Sequence, residues 1–331
     1  MQSSVVAPSG PVDLSQVWIG DRIIAHDVHG DDLADVLQQN GDASAWAIAP
    51  RTDSTDLRRL ARMLGLDDLV VTELLRPGHR VRFAELDSIR LVRLRAVSLQ
   101  GRQISGSDVS LIIADQILIV LADDQYGSEL ARTLSAASKR LTNGTAEQAA
   151  RHVIDYVISG MAHIAEELEA ASDALAEQLF GGEPLSRQSK LDAFRLRRAV
   201  TELRRVTDPT REALQDLLDT DSAMTEVDTR RWNLVLDHAS RVAGTVSVLG
   251  DSLTTIFDTS LALDNARMSD VMKKLTGWAG IIAVPTLVTG FVGMNVSFWL
   301  SDTRLGFYVY LVLMVLVAVI LYVVFRRKSW I

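Results

Sequence analysis

The stretch FYVYLVLMVLVAVILYVVF, residues 307–325, decides the fold. It carries no charge and is apolar on every side of a helix. A helix packed on a soluble body keeps a polar stripe toward water, and this one has none. Residues 305–325 are uncharged, and so are residues 275–301 just before them. Each run exceeds the roughly 20 residues that a helix needs to cross about 30 Å of hydrocarbon. Two C-terminal membrane helices are therefore predicted, the second over 306–325.

The flanks give an orientation. Lys273 and Lys274 precede the first run, and Arg326, Arg327 and Lys328 follow the second. By the positive-inside rule both clusters face the cytoplasm, a basic ring that anchors topology and lipid headgroups. The predicted protein is multi-pass in the inner or plasma membrane. Its N- and C-termini are cytoplasmic, the latter a basic tail over 326–331, and an external loop spans 296–305. Trp278, Trp299, Tyr308 and Trp330 fall where interfacial aromatics belong. The opening MQSSVVAPSGPVDLS lacks the basic and apolar regions of a signal peptide, so none is expected.

The chain of 331 residues is 48% hydrophobic and 23% charged. The two figures coexist because the charge lies almost wholly before Lys274. There is no cysteine, which excludes disulfides and thiolate metal sites. A net charge of −8 argues against a nucleic-acid partner and favours cations. No phosphate-binding loop, no H-E-x-x-H and no triad is present, so no organic cofactor and no enzyme is expected. The six histidines are scattered and read as surface or core residues.

Residues 1–145 read as a cytoplasmic α/β domain. Strand-like runs occur at 17–25, 45–49, 81–86 and 89–99, and 109–121 looks like two core strands about a turn near Ala114 and Asp115. Helical patterns fall at 55–64 and 67–75, and RPGHR at 76–80 reads as a turn. Residues 146–226 read as antiparallel helices. Val157, Met161, Ile164, Leu168, Ala171, Leu175 and Leu179 form the seam of the first, and 181–184 breaks it. The second is expected to bend or stop near Asp208 and Pro209. Glu166, Glu167, Glu169, Asp173 and Glu177 give an acidic face, read as solvation or as cation concentration near a pore exit.

Residues 227–295 read as one stalk helix that continues into the first span, about 100 Å long at 1.5 Å per residue. Val235, Ala239, Val242, Val246, Leu249, Leu253, Ile256, Ser260 and Leu263 hold a three-four spacing. Such a seam is expected to need copies of the same helix, hence an oligomer.

These residues resemble the CorA family of magnesium transporters. PTLVTGFVGMN at 285–295 is similar to the family's pore-helix ending and RRKSWI to its tail. TELLRPGHRVRFAELD at 72–87, DVSLII at 108–113 and VLDH at 235–238 look like its cytoplasmic domain and stalk. The resemblance implies a funnel-shaped homopentamer, with five stalk helices continuing as an inner ring around one pore and the second spans outside. It implies a divalent metal ion channel for Mg²⁺, with Co²⁺ or Ni²⁺ as further cargo and self, lipid bilayer and divalent cations as partners.

Gly293, Met294 and Asn295 would then be the selectivity filter. A ring of neutral amides can accept hydrogen bonds from the waters of Mg²⁺, which sheds them reluctantly, and still let the ion go. Asn295 read alone is equally a helix cap. By family position and spacing the pore-lining candidates are Gly290, Thr286, Ala283, Ala279, Leu275, Met272 and Ser269, continuing the stalk seam. Leu275 and Met272 would form an apolar constriction. Pro285 would free the carbonyl of Ile281 and bend the span. The membrane potential supplies about 2.3 kcal/mol per charge per 100 mV, so no nucleotide is required.

The resemblance also implies closure by regulatory intracellular Mg²⁺, with Asp108 and Asp258 as candidate ligands. Two departures bear on this. Leu234 stands where a stalk carboxylate is expected, and the outer loop has one acid, Asp302, offset by Arg304. Two alternatives are a Zn²⁺ transporter of the ZntB type, against which Met294 argues, and a non-transporting membrane sensor or scaffold on the same fold.

Overall fold

The computed structural model describes residues 14–20, 22–28, 30–52, 55–76, 78, 80–86, 89–138, 145–181, 185–220, 226–294, 303–328 and 330–331. The chain forms two compact units. The first comprises Met1–Gln178 and Ser186–Thr254, the second Leu179–Leu185 and Thr255–Ile331.

In the first unit a seven-stranded sheet has the order β2-β1-β3-β7-β6-β5-β4. The strands are β1 (Leu14–Ile19), β2 (Arg22–His26), β3 (Ala43–Pro50), β4 (Arg82–Leu86), β5 (Ile89–Gln100), β6 (Gln103–Ile113) and β7 (Ile117–Ala122). Only β3 and β7 pair in parallel; the other neighbours are antiparallel. The run 17–25, read as one strand, is a hairpin. Gly20, at φ +55, turns the chain there, where a side chain would be strained. The run 109–121 does form two strands, β6 and β7, and Ala114 N–H donates to Ile117 O in the turn between them. Residues 77 and 79 of the predicted RPGHR turn lie outside the described residues.

One face of the sheet is covered by α1 (Gly30–Gln39), α2 (Thr55–Met63) and α3 (Asp68–Leu75). Leu33, Leu57, Leu60, Val71 and Leu74 meet Ala45, Ala47, Ile112, Ile119 and Leu121 in a single apolar cluster. This is the alternation expected of strands, whose every second residue points the same way. Asp67 caps α3, its side chain accepting from Leu69 N–H. Helix α4 (Asp124–Ser138) packs on β1, β3 and β7, and α6 (Arg187–Thr220) on β4, β5 and β6.

Beside α6 run α5 (Ala146–Phe180) and the start of α7 (Glu226–Val292). The seam of α5 is buried from Val157 to Leu168, as its spacing predicts. Helix α6 neither stops nor is interrupted at Pro209. Thr207 Oγ1 donates to Arg204 O and Thr210 Oγ1 to Val206 O (2.7 Å), on either side of the carbonyl that Pro209 cannot serve.

In the second unit the latter part of α7 is joined by α8 (Arg304–Arg327), which Thr303 caps by accepting from Gly306 N–H. Both are long and apolar enough to cross a membrane, with mean hydropathies of 1.7 and 2.9 over their most apolar windows. Helix α7 has 67 residues, so it spans about 100 Å as one helix.

Candidate functional site: two faces of α7

The seam of α7 packs inside its own chain. Val235, Ala239, Val242, Val246, Leu249, Leu253, Ile256 and Ser260 are all buried in the single chain, and only Leu263 opens to 37% exposure. This corrects the expectation that the seam needs copies of itself. In the first unit the partners are α5 and α6. Trp232 Nε1 donates to Glu147 (2.7 Å), and Arg151 lies over the indole at 5.9 Å and reaches Asp228. His238 pairs with Asp155 at 2.8 Å. Gly250 faces Val200, whose Cγ1 a Cβ there would meet at 3.8 Å. Burial draws the Arg151 guanidinium below its usual pKa, against the pull of Glu147 and Asp228.

In the second unit, the same three-four count carried on from Ser260 arrives at Gly277, Ile281, Val284 and Val288. These are among the less exposed residues of the apolar part of α7. Here α8 and the residues after it meet the helix. A Cβ on Gly280 would stand 3.5 Å from the Phe325 ring, and one on Gly277 would press on Ile331 at 3.1 Å. Trp330 N–H donates to Phe325 O and the two rings stack at 5.6 Å. The tail, read as basic with Trp330 as an interfacial aromatic, thus seats Trp330 and Ile331 against Gly277, a contact that sequence reasoning missed. The small residues at 277 and 280 were its only signal.

The pore-lining candidates are elsewhere. Ser269, Met272, Leu275, Ala279, Ala283, Thr286 and Gly290 are all exposed in the single chain. At 100° per residue they cluster on the side of α7 turned away from Gly277, Ile281, Val284 and Val288. They do not continue the stalk seam. Counting by seven along this other side gives Asp237, Gly244, Asp251, Asp258, Asn265, Met272, Ala279, Thr286 and Gly293, every one exposed.

Local chemistry on this side is specific. Thr286 Oγ1 donates to Ile282 O (2.8 Å), and Thr286 O accepts from Thr289 Oγ1 (2.9 Å). The helix continues through Pro285. Gly293 N–H closes the last turn on Thr289 O (2.9 Å), and a Cβ at 293 would sit 3.1 Å from that same oxygen. Met294 is 57% exposed. Asn295 and residues 296–302 of the predicted external loop (296–305) lie outside the described residues, and Thr303, Arg304 and Leu305 form the cap and start of α8.

Of the remaining candidates, Lys273 pairs with Asp270 at 3.3 Å, Arg326 and Arg327 end α8, and Lys274 and Lys328 are exposed. Asp108 belongs to the first unit, where its carboxylate accepts from Gly78 N–H (2.8 Å), and Asp258 belongs to the second. Leu234 is 68% exposed. No cluster of three or more His, Asp or Glu that could hold a metal occurs among the described residues of one chain.

Comparison with known proteins gives this geometry a family. The family model for CorA-like Mg²⁺ transporter protein matches residues 41–327. A relative from Thermotoga maritima, "Cobalt/magnesium transport protein CorA", is 24% identical over 312 residues, covering 90% of this chain and 87% of its own. The solved structure of the CorA magnesium transporter from Methanocaldococcus jannaschii aligns with a TM-score of 0.74 at 20% identity, over 96% of this chain and 99% of that one. Full-length CmaX aligns with a TM-score of 0.75 at 20% identity, over 98% and 100%. The cytoplasmic domain of ZntB from Vibrio parahaemolyticus is a more distant match, with a TM-score of 0.51 at 15% identity over 68% and 88%. The family match runs from just before β3 to the end of α8, over the same two units and the same exposed apolar helices: the chain belongs to the family of CorA-like Mg²⁺ transporters, which are ion transporters and not enzymes.

Proposed function

We propose that this chain conducts Mg²⁺ into the cell down the membrane potential, through a pore lined by the exposed side of α7 in a ring of five copies. The observation that carries this reading is the division of α7 into two sides. One side is occupied by its own chain. The other, from Asp237 to Gly293, is exposed in the single chain and passes from carboxylates to an apolar stretch to a glycine-rich end. An apolar helix that has α8 on one side and leaves small residues on the other suits close approach by copies of itself.

In such a ring Gly293 lets the last turn close without pressing on Thr289 O, and Asn295 two residues on offers its amide oxygen to the waters of a hydrated dication. Thr286, its proton donated to Ile282, presents hydroxyl lone pairs inward. Ala279 and Ala283 leave width, and Leu275 and Met272 form the apolar narrowing. The termini are cytoplasmic, because Lys273, Lys274, Arg326, Arg327 and Lys328 gather at one end of the two helices. Asp108 of one copy and Asp258 of another are the proposed carboxylates through which internal Mg²⁺ favours the closed state. The Zn²⁺ reading has less support: Gly293-Met294-Asn295 is intact, and the likeness to ZntB is weaker.

The test is uptake into proteoliposomes. Asn295→Ala should abolish Mg²⁺ influx while native mass still reports the assembled oligomer. Normal influx through the variant removes the amide ring from the mechanism, and monomers in mild detergent remove the pore.

A further inference from the structure

Strands β4 and β5 set two arginines directly opposite one another. Arg82 pairs with Arg93, and Ala84 with Leu91. Like charges at such a position destabilise a sheet, so the arrangement calls for a compensating anion. Among the described residues, one carboxylate is paired with these two arginines. Glu73 of α3 lies 3.7 Å from Arg93, 4.0 Å from Arg82 and 3.6 Å from Arg76. A further guanidinium stands close by. Arg51 donates to Ser110 Oγ (3.1 Å) and to the carbonyls of Leu75 and Arg76, and Ser110 is the register partner of Arg93 across β5 and β6.

Arg93 is the unusual member. It is 6% exposed, and its Nη1 makes no hydrogen bond among the described residues. Burial, with Arg82 and Arg51 beside it, holds its pKa below the ordinary arginine value. A buried guanidinium hydrogen left unpaired is costly, and native proteins seldom keep one without a use. Arg93 and Arg82 line one end of a cavity of about 450 Å³, within the range of small-molecule sites. Glu73 also lines the cavity, and the rest of its wall is apolar: Leu69, Leu74, Leu86 and Leu91 among others, with Leu69 itself 76% exposed.

We propose that this cavity binds a small soluble anion, a phosphate or carboxylate carried on a compact apolar body. The charged head meets Arg93 and Arg82, and the body lies against Leu69, Leu86 and Leu91. The site is far in kind from the ion path: two guanidiniums against the single Glu73 carboxylate leave its lining net positive, so it repels Mg²⁺. It does not depend on the transport reading, and its test reads binding rather than flux.

Phenyl phosphate is a suitable probe, titrated calorimetrically into the full-length protein in lipid nanodiscs in Mg²⁺-free buffer, beside inorganic phosphate and benzyl alcohol. The expected result is saturable binding of one phenyl phosphate per chain, at least about fivefold tighter than inorganic phosphate, and none of benzyl alcohol. Arg93→Met should lose it. Arg82→Gln, on the exposed rim and safe for folding, should weaken it about five- to tenfold. No saturable binding to the wild-type protein overturns the proposal. So does equal binding by inorganic phosphate, or an unchanged constant in Arg82→Gln.

Discussion

Between Val235 and Ile256 the seam residues of α7 are no more than 7% exposed; further along the same helix, Leu275, Ile282, Leu287 and Phe291 stand at 62%, 63%, 73% and 62%. Both regions belong to one continuous helix. The surroundings differ. In the first region α5 and α6 cover the seam. The second has α8 along one side and leaves apolar side chains facing outward, which is stable only in lipid or against other protein. A seam in a sequence therefore says that a face is buried, and not what buries it.

The largest expected effect breaks the first region. Leu253→Ala removes a fully buried side chain from the packed seam and should cost about 2–5 kcal/mol in denaturant unfolding. A cost below about 1 kcal/mol would mean that α5 and α6 do not hold this face closed. Next comes the point where the tail meets the second region. Gly277→Leu should overpack against Ile331, destabilising by about 1–3 kcal/mol, and Ile331→Ala in the same chain should restore part of the loss. Independent, additive effects of the two changes would show that the contact is absent.

A smaller effect is expected at the head of α7. Trp232→Phe keeps an aromatic ring under Arg151 and loses the hydrogen bond to Glu147, leaving that part-buried carboxylate short of one donor. The expected cost is about 1–2 kcal/mol, read by thermal unfolding. Smallest is Leu234→Ala, on the open side of the first region, where 68% exposure predicts a change within about 0.5 kcal/mol for the isolated chain. A large loss there, seen only in the assembled protein, would reveal a neighbouring copy on that side.

Much of this was legible in the sequence. Two uncharged runs gave the two apolar helices, and the period of α7 gave its length to within a few residues of Val292. The turn at Ala114 and the helix starting at Thr55 followed from local chemistry. What failed were statements about partners. α6 was expected to be bent or interrupted at Pro209, and it is not interrupted: a helix held on a sheet and flanked by threonine hydroxyls tolerates one missing N–H. The seam was assigned to the oligomer because periodicity names a face without naming its cover. The two sides of α7 could be separated only by placing α8, whose contacts at Gly277 and Gly280 depend on residues some fifty positions away. Arg93 was invisible for the same reason: its burial comes from α3 and from a facing arginine on β4.

The central claim is that the side of α7 away from α8 lines the ion path. The chain has no cysteine, so single cysteines can be read without background. Thr286→Cys and Ala279→Cys on one side, and Val284→Cys and Val288→Cys on the other, would be treated in proteoliposomes with a positively charged, membrane-impermeant thiol reagent while Mg²⁺ influx is followed. The account predicts block at 279 and 286 and unaltered influx at 284 and 288. Block at 284 and 288, with 279 and 286 untouched, would contradict it.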